Sequence, residues 1–166
     1  MKFRDLKEKD AVLMLEWMKD LDVVGNLAHD FFSMTIEDCL EFIKNANSEQ
    51  KTNIHKAICN DEDEYLGTVS LKNIDLKNRN AEYAISLRKV AHGTGAAKFG
   101  TEEILKIAFE KLNLNKVYLN VISENVRAIK FYNKVGFQLE GEAKEHILIK
   151  NELKDLRWYA IYRRNL

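Results

Sequence analysis

The chain has 166 residues, with 26 Lys plus Arg against 26 Asp plus Glu and a formal net charge of zero; a chain of this length forms about one domain and buries roughly 70% of its unfolded surface. A neutral balance gives no global pull towards nucleic acid or an anionic membrane, so neither is an expected partner. No apolar run is long enough to span a bilayer and no apolar stretch follows Met1, so a cytoplasmic protein is expected.

A short strand is expected at residues 2–6. Val12, Leu13, Leu15, Trp17 and Met18 among charges then predict an amphipathic helix over 11–19. Thr35 followed by Asp38 approximates a capping box, which starts a second helix with Ile36, Leu40 and Ile43 as its apolar stripe; residues 22–33 link the two. Residues 53–60 and 65–74 read as strands joined across the acidic turn Asp61-Glu62-Asp63-Glu64, and 81–90 as a third strand reached through a polar turn. The middle of the chain is thus a meander.

The period then changes. Phe99, Ile104, Leu105, Ile107, Ala108 and Leu112 fit a helix from Ala97, which Asn113 and Asn115 help to end. Residues 116–122 read as a strand, 125–134 as a helix capped by Gly136, and 137–149 and 156–163 as two further strands with a turn at Lys150-Asn151. Such an order implies a mixed sheet with helices on both faces. No proline, linker or repeat marks a boundary, so one domain over 1–166 is expected. Cys39 and Cys59 have no metal-ligand spacing with His29, His55, His92 or His146, so idle thiols and no metal are expected.

Between the third meander strand and the following helix lies His92-Gly93-Thr94-Gly95-Ala96-Ala97. Small residues there let backbone N–H groups close around phosphate oxygens at the positive end of a helix. A P-loop would need Lys directly after its last Gly, but Gly100 is followed by Thr101. A dinucleotide fingerprint would need Gly or Ala at Lys98 and a preceding βαβ strand rather than a meander.

The segment resembles the coenzyme loop of the GNAT superfamily of N-acetyltransferases, Gln/Arg-x-x-Gly-x-Gly/Ala, with Gly95 and Ala97 as its small residues and His92 at the Gln/Arg position. Ala81-Glu82-Tyr83-Ala84-Ile85 looks like that family's fourth strand, and residues 125–132 with Gly136-Phe137 look like its Asn-x-x-Ala-Ile-x-x-Tyr and Gly-Phe signature. Glu140-Gly141-Glu142, Asn151 and Asp155 resemble the branch that includes ribosomal-protein N-terminal, spermidine and nucleotide-amino-sugar acetyltransferases. The resemblance implies the acyl-CoA N-acyltransferase fold: α/β (α+β), with a mixed, mostly antiparallel central sheet of about six to seven strands. It implies acetyl-CoA as cosubstrate, no metal, and a small-molecule or N-terminal amine as acceptor, and it leaves room for a homodimer.

Acetyl transfer from a thioester needs a neutral amine, donors for the carbonyl oxygen, and a proton for the departing thiolate. The resemblance points to Tyr132 for the last task, although its spacing alone also fits an aromatic on an amphipathic helix. For proton removal Glu82 is the best carboxylate, since strand alternation sets it on one face with Ala84 and Ser86; a surface-strand carboxylate is the alternative. By resemblance, backbone around Arg88 to Val90 meets the oxyanion and pantetheine, and His92, Gly93, Thr94, Gly95, Ala96 and Ala97 meet the pyrophosphate. Asn125 is either a coenzyme contact, a helix N-cap, or both, and Asn120 ranks lower. The acceptor side falls on residues 16–33, Glu82 and residues 146–153, where Trp17, His29, Phe31 and Phe32 are candidate lining residues, with Trp17 and Phe31 better suited to a core. The expected function is acetyl transfer to a primary amine such as an amino sugar nucleotide, a polyamine or a protein N-terminus. A non-catalytic acetyl-CoA-binding regulatory domain and an interaction module are the alternatives.

Overall fold

The computed structural model describes residues 1–25, 27, 29–48 and 52–165. Twelve elements frame it: β1 Lys2–Arg4, α1 Ala11–Met18, α2 Leu21–Val24, α3 Ile36–Ala46, β2 Ile54–Cys59, β3 Tyr65–Asp75, β4 Asn80–Leu87, α4 Ala96–Lys106, β5 Lys116–Ile122, α5 Val126–Lys134, β6 Gln138–Ile149 and β7 Glu152–Tyr162. The strands form one seven-stranded sheet in the order β1-β2-β3-β4-β5-β7-β6. Every neighbouring pair is antiparallel except β4 with β5.

Alternation within the strands divides the interior into two layers. Ala57, Cys59 and Tyr65 pack with Ala11, Met14, Trp17 and Met18 of α1 and with Cys39 and Ile43 of α3. Val69, Leu71, Ala81, Tyr83, Val117 and Leu119 pack on the other face against Ile104, Leu105 and Ala108 from α4 and its extension and Ile129 of α5. Helices therefore cover both faces, as expected, and Cys39 and Cys59 are buried free thiols. Among the described residues no helix is long and apolar enough to cross a membrane.

The expected capping box forms, with Asp38 N–H donating to Thr35 Oγ1 at 3.3 Å and Thr35 N–H to the Asp38 carboxylate at 2.8 Å. Strand β1 stops at Arg4, short of the expected residue 6, and β7 begins at Glu152, four residues before the expected start, because it pairs with β6 from the Lys150-Asn151 turn onward; three further boundaries differ from the sequence reading. The 22–33 link contains the short helix α2 and a 3-10 turn at Phe31–Ser33, where Asp20 and Asp30 accept from the backbone N–H groups of Asp22 and Ser33. Strand β4 stops at Leu87 because a 3-10 turn, Lys89–Ala91, takes the chain off the sheet. Helix α4 widens into a π-turn over Ile107–Lys111, in which Leu112 N–H reaches back to Ile107 O at 3.0 Å, before Asn113 in a left-handed conformation ends it.

Candidate active site

Strands β4 and β5 pair only over Asn80↔Lys116, Ala81↔Val117 and Glu82↔Tyr118. Beyond that rung β4 follows β3 to Leu87 and β5 follows β7 to Ile122, so the two part. Backbone N–H groups alternate sides along a strand, and Arg88 N–H donates to Leu66 O on the β3 side at 2.9 Å. By that alternation the amides of Ile85 and Leu87 face the gap. This corrects the expectation for Arg88, whose amide is used within the sheet. Its side chain is also committed: the buried guanidinium makes a bidentate pair with Glu16 at 3.0 and 2.9 Å, meets Glu64 at 2.5 Å and donates to Tyr65 O at 3.0 Å. These contacts tie α1 to the exit of β4. Val90, beyond it, is 62% exposed on the 3-10 turn.

The small-residue loop follows directly. Gly93 and Gly95 adopt φ of +80° and +90°, which side chains with a Cβ rarely take, and Gly95 caps α4. Thr94 Oγ1 donates to Ala91 O at 2.8 Å and accepts from Ala96 N–H at 3.3 Å. The first α-helical bond of α4 runs from Phe99 N–H to Gly95 O at 3.0 Å, so the amides of Ala97 and Lys98 belong to its open first turn. A pyrophosphate fits this loop through backbone donors and the helix dipole. His92 is half-buried, and its pKa is lowered first by burial and then by the nearby charge of Arg127. Sequence reading overlooked Arg127; its signal was a cation inside the Asn125–Tyr132 signature, on the first turn of α5.

On the far side of the gap stands Tyr132. Its ring meets Tyr83, Phe137 and Tyr159 at centroid distances of 6.2, 5.9 and 6.5 Å. Burial pushes its phenol up to about 12, so it keeps its proton throughout the neutral range. Tyr83 is itself locked by a 2.7 Å bond with Thr101 Oγ1, whose hydroxyl donates to Ala97 O at 2.7 Å. The loop helix and the phenol are thereby braced through one set of side chains. Asn125 caps α5, its Oδ1 accepting from Ala128 N–H at 3.1 Å.

Glu82 sits on the last β4–β5 rung, paired with Lys72 at 2.9 Å and accepting from Asn73 Nδ2 at 2.9 Å. It lines a shallow depression with Tyr118, Glu140 and Trp158. Asn120 lies opposite Trp158 and is exposed. A larger cavity, about 600 Å³, lies between α1, α3 and the sheet and reaches β4 at Ala84, Ile85 and Ser86, just past the point where β5 departs. Trp17, His29 and Phe31 line it, and Phe31 packs edge-on against Trp17 and His29 at 5.1 and 4.6 Å. Phe32 instead lines a smaller cavity where the connection meets Leu148 and Ile149 of the β6–β7 hairpin. His146 is exposed on that hairpin; Asn26 and Ala28 of the connection lie outside the described residues. Sequence reading missed His55 and Ser70, which meet at 2.7 Å in the larger cavity. Their signal was the polar alternation Thr68, Ser70, Lys72 on a strand that helices cover on both faces.

The chain is similar to known N-acetyltransferases. An uncharacterized N-acetyltransferase of Bacillus licheniformis, p20, is 26% identical over 163 residues, covering 97% of this chain and 92% of its own. The spermidine N(1)-acetyltransferase of Vibrio cholerae is 34% identical over 92 residues, about half of each chain (55% and 53%). In fold, the crystal structure of the V. cholerae spermidine N-acetyltransferase in complex with CoA and spermine superposes with a TM-score of 0.88 at 23% identity, covering 99% of this chain and 96% of that one. The family model described as the acetyltransferase (GNAT) domain matches residues 1–138. With the parted strands, the glycine loop and the half-buried phenol in place, the chain belongs to the GNAT acetyltransferase family.

Proposed function

We propose that the protein carries an acetyl group from acetyl-CoA to a primary amine, by direct attack of the amine on the thioester, with the acceptor on the α1–α3 face of the sheet. The observation that carries this reading is the parting of β4 and β5 between a loop suited to pyrophosphate and a protonated, half-buried phenol, with a cavity reaching the same strand from the opposite face. Amino sugar nucleotides, polyamines and protein N-termini are the acceptor classes in question, and the consumption of acetyl-CoA suits a cytoplasmic setting.

Bound acetyl-CoA supplies the activated acetyl thioester. The backbone of His92, Gly93, Thr94, Gly95, Ala96 and Ala97 holds its pyrophosphate, with Val90 and Asn125 flanking the pantetheine and Arg127 adding a cation. Ile85 and Leu87 offer backbone N–H groups to the carbonyl oxygen, a preorganised site for developing negative charge. Glu82, on the rung where the gap begins, removes the ammonium proton directly or through water once Lys72 yields. Tyr132 gives its proton to, or holds, the departing sulfur; a phenol near 12 is protonated at every working pH.

The test is a thermal-shift titration with acetyl-CoA followed by amine-dependent release of CoA thiol. Protection should grow with acetyl-CoA concentration, and thiol release should require an amine. Protection without release from any amine class would indicate a regulatory binding domain instead, and no protection would set aside the coenzyme site altogether.

A further inference from the structure

The cavity beneath α1 and α3 has a composition that selects among amines. Its walls are Met14, Trp17, Met34 and Phe42, while its polar floor is already paired: Thr68 Oγ1 with the Tyr65 hydroxyl at 2.8 Å and Ser70 Oγ with His55 Nδ1 at 2.7 Å. We infer that the acceptor is an amine with a single positive charge and an apolar body about the size of one ring, seated against Trp17, Phe31 and Phe42 with its nitrogen towards Ala84 and Ser86, and that polyamines are poor acceptors. The inference rests on the transferase reading above and narrows it.

Charge decides against a polycation. The cavity is lined by two carboxylates, Asp38 and Glu41, and by one ammonium, Lys72. Glu82 neutralises Lys72, which leaves Asp38 and Glu41, both exposed on α3, as the carboxylates of the cavity. Asp38 is further engaged by the backbone and hydroxyl of Thr35 at 2.8 and 3.0 Å, and Lys72 is held in place by Glu82. With its reacting amine neutral, a polyamine would still carry its other ammonium groups past thioether and aromatic walls, with only these two exposed carboxylates to pair with them; a charge taken out of water without a partner is costly.

His55 adds no cation, because burial lowers its pKa and the charge of Lys72 lowers it further. His29 and Cys39 are the remaining titratable lining groups; α1 contributes none, and β4 contributes Glu82 through its pair with Lys72. A cavity of about 600 Å³ lies in the range of roughly 300–1,000 Å³ that small-molecule sites occupy, and its thioether and aromatic walls favour an apolar body. With Nδ1 committed to Ser70, the Nε2 atom of His55 is the ring nitrogen left for a polar substituent.

The test compares kcat/KM for 2-phenylethylamine, 3-methylbutylamine and spermidine at saturating acetyl-CoA. The expected result is that the two apolar monoamines exceed spermidine by at least about tenfold, in line with what an apolar pocket can discriminate. Phe42→Ser should then raise KM for 2-phenylethylamine by about tenfold while acetyl-CoA still protects the variant against heat, which shows that it folds. Spermidine equal or superior to both monoamines would overturn the inference and leave the transferase reading standing. Thiol release from none of the three or from any other amine, with acetyl-CoA protection intact, would overturn both.

Discussion

Replacing Tyr132 by Phe removes one oxygen and leaves the ring against Tyr83, Phe137 and Tyr159. Among the described residues no side chain is hydrogen-bonded to that hydroxyl, so stability should change by no more than about 0.5 kcal/mol, or about 2 °C in Tm for a chain of this size. Turnover should behave differently. A positioned general acid contributes at least about 100-fold, so kcat at pH 7 should fall by about that factor, or about 2.7 kcal/mol. The pH dependence separates this from a general loss of shape. A thiol leaves as a stable thiolate once pH passes about 8.5, whereas the phenol, pushed up to about 12, still holds its proton there. The deficit of Tyr132→Phe should therefore shrink as pH rises towards about 9.5, approaching wild type. Steady-state CoA-thiol release across pH 6.5–9.5, about the usable range of such assays, with acetyl-CoA affinity from thermal shift, makes the measurement. Unchanged kcat, or a loss matched by an equal rise in acetyl-CoA Kd, would refute the assignment of Tyr132 as acid.

Three further outcomes are expected. Glu82→Gln should depress turnover most at low pH, where the amine is protonated, and a pH–rate profile superimposable on wild type would remove the base assignment. Gly100→Ala places a Cβ 2.1 Å from Ile58 Cδ1 in the core; overpacking of this kind costs about 1–3 kcal/mol, so Tm should drop by roughly 3–10 °C and recover in part when Ile58→Val removes the clashing methyl. Because burial keeps His55 neutral, the unfolded chain binds a proton below about pH 6.5 that the folded chain resists. Stability from this group is thus present above that pH and lost as pH falls. Thermal midpoints of His55→Gln should fall less than those of wild type between pH 7.5 and 5.5, about the window of imidazole titration, with a residual slope from His92, which shares the sign. Parallel slopes would show that His55 is not buried neutral.

Local chemistry made the elements readable. Thr35 and Asp38 announced the start of α3 because a capping box depends on residues three apart, and β5 ended where its β-branched and aromatic run ended. The glycine loop was equally visible, since a positive φ at Gly93 and Gly95 is a property of the residues themselves. What escaped was set by distant partners. That the Arg88 amide is occupied depends on Leu66, which no local pattern reveals. The exit of β4 at Leu87 follows from the turn that lets Arg88 reach Glu16 on another element. His55 and Ser70 became neighbours only when β2 and β3 paired in register. Glu82 illustrates the limit from the other side: alternation placed it on one face with Ala84 and Ser86, but its ion pair with Lys72 required the register of β3 against β4.

The central claim is that one amine is acetylated for each acetyl-CoA consumed. Incubation with acetyl-CoA and the preferred amine, with free CoA thiol quantified and the amine product identified by mass spectrometry in the same sample, tests it directly. N-acetylated amine and free thiol are expected in equal amounts, both strongly reduced in Tyr132→Phe. Thiol released without acetylated amine, or neither product from an enzyme that acetyl-CoA protects against heat, would contradict it.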